Sequence, residues 1–326
     1  VNLCATPLYH NAAIFFALNN LYFGSTTVVH RKFNEAQTFA DIQRYGVTNA
    51  FLVPTQLHRL IQNPERSTFD LSSLRTVVSG AAPLATSTKE AIFECFPGVE
   101  LHELYGLTET GLITNLRPAD QMRKVRCAGQ AFINMEFKVV DPDGRELPIG
   151  AVGEIVTRGA TLFDGYYGNE EATRTAWRDG WFHTGDAFRY DENGEFFFVD
   201  RIKDAIRRRG ENISSFEVES EVTVFPGVGE AAAIPVPAET NEDEVMIVVS
   251  PAPEHEIDPM ELFKFLEPRM AHFMLPRFIR IMDGLPKTPT QKIQKNLLRE
   301  DGITSDTWDR EAHGIKVRRQ KLTAGD

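Results

Sequence analysis

Between residues 13 and 96 the apolar positions switch repeatedly between two spacings. Ala13–Phe23, Gln37–Arg44, Gln56–Gln62 and Ala85–Phe96 carry them at helical intervals, the last beginning near Thr86. Thr26–His30, Ala50–Val53 and Leu74–Ser79 are short apolar runs of strand type. Such alternation predicts an α/β layer with a largely parallel sheet. From Phe137 the texture changes to short strands broken by turn signals: FKVVD then PDG, then GEIVTRG, then a hairpin. This predicts a distorted β-barrel subdomain closing the α/β part. Beyond Asp200–Asp204 come a helix (Phe216–Phe225), strands at Glu230–Val236 and Val245–Ser250, a helix (Pro259–His272) and a strand (Phe278–Met282). The expected organisation is therefore a large domain over 1–200, a small α+β domain over 201–300 and a charged tail over 301–326.

The hairpin belongs to the most informative run of the chain, Trp181–Ser215. Asn193-Gly194 is a turn signal, because both residues tolerate positive φ, and it is flanked by Ala187–Tyr190 and Glu195–Val199. Asp186 and Arg201 stand at opposite ends of that hairpin and can come close. A carboxylate that accepts and a guanidinium that donates in a fixed fork suit the vicinal hydroxyls of a ribose. A surface hairpin closed by an ion pair explains the same spacing equally well.

Three other stretches bear on that choice. SGAAPL (Ser79–Leu84) follows an apolar run and gives a strand-to-helix turn that lets backbone approach a flat ligand. YGLTET (Tyr105–Thr110) sets an aromatic ring and a glycine before hydroxyl, acid and hydroxyl. LPKTPTQKIQK (Leu285–Lys295) is a Pro-punctuated loop that delivers Lys287 and Lys292. Taken singly, these read as an ordinary connection, a polar loop and solvated lysines.

Taken in this order, they resemble the adenylate-forming superfamily of acyl-CoA synthetases, luciferases and peptide-synthetase adenylation domains. RRRGENIS and the segment GITSDTWDREAHGI look most like ATP-dependent acyl-CoA ligases of the crotonobetaine/carnitine-CoA ligase type. The resemblance runs from about Pro7 to about Gly314. It implies that 1–200 is the C-terminal part of a large AMP-binding domain and that 201–300 is a small mobile lid domain. It also implies two half-reactions. A carboxylic acid and ATP give an acyl-adenylate and pyrophosphate, and the thiol of coenzyme A then displaces AMP.

The residue roles that the resemblance implies are these. Gly80, Ala81 and Ala82 line the adenine, and Tyr105 stacks on it beside Gly106. Thr108 bonds the α-phosphate, and Glu109 ligates Mg²⁺, a hard cation that prefers carboxylate oxygen. Asp186 binds the ribose with help from Arg201. Lys292 bridges carboxylate and α-phosphate, and Lys203 is the hinge. Gly210 lines the pantetheine tunnel, with Arg207–Arg209 near the coenzyme A phosphates. His10, in PLYHNAA, borders the acyl pocket, although a satisfied core or surface histidine fits it as well. Phe132 and Trp181 read as core.

Composition narrows the picture further. A chain of 326 residues can hold two domains, and 42% hydrophobic with 25% charged residues is ordinary for a globular protein. The net charge of −11 argues against nucleic acid or an anionic membrane as main partner. Cys4, Cys95 and Cys127 have no metal-type or disulfide spacing, which suits a reducing cytoplasm. The eight histidines form no HxxxH or HExxH pattern, so no structural metal is expected. No apolar run reaches the ~18 residues of a membrane span. A homodimer is the base-rate expectation for assembly.

Two departures from the family pattern matter. No Ser/Thr/Gly-rich phosphate loop ending in lysine precedes PLYHNAA, and Gly24-Ser25-Thr26-Thr27 enters a strand without one. With Val1 leading straight into a core-like segment, the chain reads as the interior of a longer protein that adenylates poorly alone. Gln291 also stands where a glycine is usual before the catalytic lysine, which restricts that loop. Two other readings stay open: an adenylation enzyme serving a carrier protein, and a non-catalytic nucleotide-binding remnant.

Overall fold

The computed structural model describes the chain except for residues 125, 209–210, 238–242, 289–291, 316 and 318–326 and the side chain of residue 212. The chain divides into two compact units, Val1–Val199 and Asp200–Asp326.

In the first unit five strands pair in parallel, in the order Thr27–Val29, Asn2–Cys4, Asn49–Phe51, Thr76–Gly80, Glu100–Leu107. Helices Asn11–Tyr22, Glu35–Tyr45, Pro54–Gln62 and Thr86–Cys95 connect them. Local chemistry sets their ends. Asn34 accepts the Gln37 N–H at 2.8 Å to start one helix, and Gly46 ends it at φ 59°. Pro54 opens the next, where its missing N–H costs nothing. Leu3, Phe39, Ile42, Leu57, Val77 and Ile92 fill the core between sheet and helices.

The sheet does not stop at its parallel part. Gly111–Leu116 folds back antiparallel on Glu100–Leu107, and Cys127–Ala131, Glu195–Arg201, Trp181–Tyr190, Gly153–Gly159 and Met135–Val140 extend the same sheet. The β-rich part is thus continuous with the parallel layer, around a core of Ile113, Ile155, Phe188 and Phe196. Asn2–Cys4 and Glu100–Leu107 are strands that the apolar pattern did not predict. The first is three residues long, and the second carries Glu100, His102 and Glu103 among its apolar positions. Trp181 is half-buried beneath Lys138 and Arg158, whereas Phe132 is 39% exposed rather than core.

The hairpin at Asp191–Gly194 forms by a different device from the one expected. Only Gly194 has a positive φ, 71°. The Asp191 carboxylate accepts the N–H groups of Asn193 (2.9 Å) and Glu195 (3.0 Å), so an aspartate shapes the turn.

The second unit is built on strands Val228–Pro237, Asp243–Pro251, Phe278–Ile281 and Trp308–Asp309. Both faces of this sheet are covered, with Ala231, Val245, Ile247 and Ile279 on one side and Ala232, Met246, Val248 and Phe278 on the other. Helix Pro259–Leu266 is shorter than expected, because Pro268 has no N–H to continue it. The segment read as a charged tail contributes structure. Trp308–Asp309 pairs with Phe278–Ile281, and Arg277 binds Asp309 through two nitrogens at 3.2 and 3.1 Å. Burying the Trp308 ring against this unit's core draws that segment into the fold.

Candidate active site

Strand Thr76–Gly80 runs into the Gly-Ala-Ala-Pro turn, and the turn is held from beneath. The Glu103 carboxylate accepts the Leu84 N–H at 3.1 Å and pairs with Lys89 at 2.6 Å, both side chains being almost wholly buried. Burial pushes the Glu103 carboxyl above its ordinary range, and Lys89 offsets part of that rise. Gly80 packs tightly against the next strand, since a Cβ there would lie 3.0 Å from the Leu104 carbonyl oxygen. Ala81 and Ala82 are exposed, and Ala81 takes φ 72°, an unusual backbone for alanine.

YGLTET is part strand and part turn. The Tyr105 hydroxyl donates to Asp186 Oδ2 at 2.8 Å, and its ring packs 4.7 Å from that of Phe188. This single bond joins two motifs 81 residues apart. Asp186 is itself 2% exposed. Gly106 admits no side chain, because a Cβ would fall 2.1 Å from the Gly111 carbonyl oxygen. In the turn that follows, the two threonines differ. Thr110 is buried and its hydroxyl accepts the Leu107 N–H at 3.1 Å, while Thr108 is exposed. Glu109 is fixed by the segment 163–166: Phe163 N–H donates to its carbonyl oxygen and Tyr166 O–H to its Oε1, both at 2.9 Å. Burial and then the Glu109 carboxylate push the Tyr166 phenol up to about 12. Tyr166 engages Oε1, which leaves Oε2 for a cation. A lone carboxylate of this kind suits Mg²⁺, which takes most of its ligands from water and phosphate. Among the described residues no three His, Cys, Asp or Glu side chains cluster as a metal site.

The turn Thr184-Gly185-Asp186 borders an open groove lined by Glu154, Tyr166, Arg178, His183 and Gly185. His10 caps no helix N–H with its side chain. It is half-buried at the start of Asn11–Tyr22.

The remaining candidates belong largely to the second unit. Arg201 ends strand Glu195–Arg201, which crosses between the units, and Lys203 lies exposed on the next turn. Lys292 is exposed, and its carbonyl accepts the Thr288 N–H at 2.8 Å. Arg208 is committed to its own fold. It is buried, pairs with Glu244 at 2.6 Å and donates to the Phe273 and Leu275 carbonyls, so the suggested phosphate role does not suit it. Arg207 is exposed, and residues 209, 210 (the expected pantetheine glycine) and 291 lie outside the described residues. Lys89, Glu103, Glu154 and Tyr166, which hold or line these turns, had no role in the sequence analysis. A charged residue inside an apolar strand was the one available signal, and it applies to Glu103 and Glu154.

The family profile described as "AMP-binding enzyme" matches residues 1–167, and that of the "AMP-binding enzyme C-terminal domain" matches 217–292. The chain belongs to this family of AMP-binding enzymes. It is 35% identical over 307 residues to the fatty acid–[acyl-carrier-protein] ligase ScoC of Streptomyces coeruleorubidus, covering 92% of this chain and 58% of that protein. It is 36% identical over 300 residues to a feruloyl-CoA synthase of an Amycolatopsis species, covering 91% and 60%. The ATP-bound structure of MatB from Rhodopseudomonas palustris superposes with a TM-score of 0.81 at 32% identity, covering 92% of this chain and 59% of that one. The chain therefore spans about three-fifths of the length of these relatives. Their architecture, a large α/β domain followed by a smaller one with its own sheet, is the one found here.

Proposed function

We propose that the chain is the C-terminal part of an ATP-dependent carboxylic acid–CoA ligase that works through an acyl-adenylate. The observation that carries this reading is the Tyr105–Asp186 hydrogen bond, which brings the YGLTET and TGD motifs to one place. Asp186 would accept the ribose hydroxyls, and the exposed Ala81-Ala82 backbone would flank the adenine. Thr108, exposed on its turn, would donate to the α-phosphate, and Glu109, held by Tyr166, would keep Mg²⁺ beside it. The metal, when bound, offsets charge on the transferring phosphate. Lys292, an exposed ammonium, would neutralise charge shared by carboxylate and phosphate. Residues 1–200 would then be the nucleotide-binding portion and the second unit a lid turning at Lys203. The feruloyl-CoA synthase relative supports coenzyme A as acceptor, and ScoC supports a carrier-protein thiol as the second reading.

AMP is the ligand for the test, because it has no β- or γ-phosphate and needs only the adenosine half of the site. Calorimetric titration of this chain should show AMP binding. Asp186→Ala should weaken it by about 10- to 100-fold, the size of losing hydrogen bonds to a charged group. Equal binding by both proteins would remove Asp186 from the ribose site.

A further inference from the structure

The backbone just before Asp186 is irregular, and one half-buried side chain holds it. Strands Trp181–Tyr190 and Gly153–Gly159 run antiparallel, but His183 pairs with Val156 and Ala187 with Glu154. Four residues of one strand thus span two of the other, so Thr184, Gly185 and Asp186 bulge out of the ladder. Gly185 sits at φ 72°. A bulge of this kind re-aims a side chain and leaves backbone groups needing partners.

Glu154 meets that need. Its Oε1 accepts the Gly185 N–H at 2.9 Å. Its Oε2 lies 2.7 Å from His183 Nδ1, and Arg178 Nη2 lies 2.5 Å from the same ring nitrogen. The same Arg178 nitrogen stands 3.4 Å from Oε2. The Glu154 side chain is 14% exposed and that of His183 9%. Thr184 completes the brace, donating to the Ile155 carbonyl at 2.7 Å and accepting the Asp186 N–H at 3.1 Å. Both oxygens of Glu154 are therefore spent on the residues one and three before Asp186, and Asp186 is left pointing at Tyr105.

We propose that Glu154 is a positioning residue for nucleotide binding: through the Gly185 N–H and His183 it holds the bulge that aims the Asp186 carboxylate at the ribose. This rests on the ribose role proposed for Asp186. Glu154 touches no ligand and acts only through the turn.

The test uses AMP titrations on four forms of the chain: Glu154→Ala, Glu154→Gln, Asp186→Ala and the double variant Glu154→Ala/Asp186→Ala. Glu154→Ala should weaken AMP about tenfold, while glutamine, which keeps an acceptor for Gly185 N–H, should stay within about threefold of the parent chain. In the Asp186→Ala background, Glu154→Ala should change affinity no further, because its effect passes through Asp186. Glu154→Ala binding AMP like the parent, or losses that add in the double variant, would overturn the proposal and leave the ribose assignment standing. Parent chain and Asp186→Ala alike failing to bind would overturn the ribose assignment and this inference with it. Should Glu154→Ala not fold, Glu154→Gln against Glu154→Leu at matched melting temperature decides the same point, with equal affinities counting against the proposal.

Discussion

Lys89→Met is expected to destabilise the first unit by about 3–5 kcal/mol at pH 7, the usual result of removing one partner from a buried ion pair. Lys89 is 3% exposed and Glu103 8%, so water cannot replace the lost ammonium. For a unit of this size the melting temperature should drop by roughly 10 °C. The pH dependence follows from the direction of the Glu103 shift. Its carboxyl is already raised in the folded protein by burial, and Lys89 is the main group lowering it. Without Lys89 the folded value rises further, while the unfolded value stays ordinary. The penalty is then full above the folded value and shrinks as pH falls through it, because the folded state takes up the proton first. The stability gap between parent and variant should therefore narrow from pH 8 to pH 5, as denaturant melts would show. The double variant Lys89→Met/Glu103→Gln, which leaves no charge to bury, should recover most of the loss. A gap that is flat with pH would mean that Glu103 is not the group left exposed to the cost. The functional consequence lies in the Gly-Ala-Ala-Pro turn, which Glu103 holds through Leu84 N–H.

Lys295→Met should destabilise the second unit and leave the first untouched. Lys295 Nζ lies 2.6 Å from Glu219 Oε1 and donates to Ser215 Oγ at 2.7 Å. Ser215 in turn donates its N–H and O–H to Asp200, at 2.5 and 3.1 Å. Glu219 also accepts the Ala233 N–H at 2.7 Å. Burial raises both the Glu219 and Asp200 carboxyls, and Lys295 is the largest opposing influence on each. One cation thus serves the partly buried Glu219 directly and the buried Asp200 through Ser215, and its removal should cost about 1–3 kcal/mol. Acid should relieve the loss, by the same sign argument as for Glu103. Hydrogen exchange locates the effect. Amides of Ser215–Val222 and Val228–Pro237 should lose protection, while Thr76–Gly80 and Glu100–Leu107 keep theirs. Equal loss in both sets would show that the two units unfold together.

That network has a bearing on Lys292. Helix Lys295–Asp301 begins three residues after it, and Arg299 on the same helix pairs with Asp204 at 2.6 Å. Both anchors, Asp200 and Asp204, flank Lys203. The segment carrying the proposed catalytic lysine is therefore fastened to the segment proposed as hinge, by the Lys295–Ser215–Asp200 hydrogen bonds and the Arg299–Asp204 ion pair.

Much of this protein was legible in its sequence, for a physical reason. Apolar spacing reports which faces are buried, so the alternating helices and strands of 35–96 and the main strands of the second unit could be read directly. The motifs SGAAPL, YGLTET and WFHTGD were legible because glycine, hydroxyl and acid at short spacing restrict local backbone. Contacts that depend on distant partners were not legible. Nothing near Tyr105 announces that its hydroxyl meets Asp186, and nothing near Gly185 announces Glu154 on the neighbouring strand. Lys295 closes a motif in which Lys287 and Lys292 drew attention, yet it is the one that serves both Glu219 and, through Ser215, Asp200. Local sequence sets propensity and burial pattern, whereas strand register decides which charges meet and how far water is excluded from them. Tertiary structure alone therefore separates Thr110, used within its own turn, from the exposed Thr108, and the committed Arg208 from the exposed Arg207.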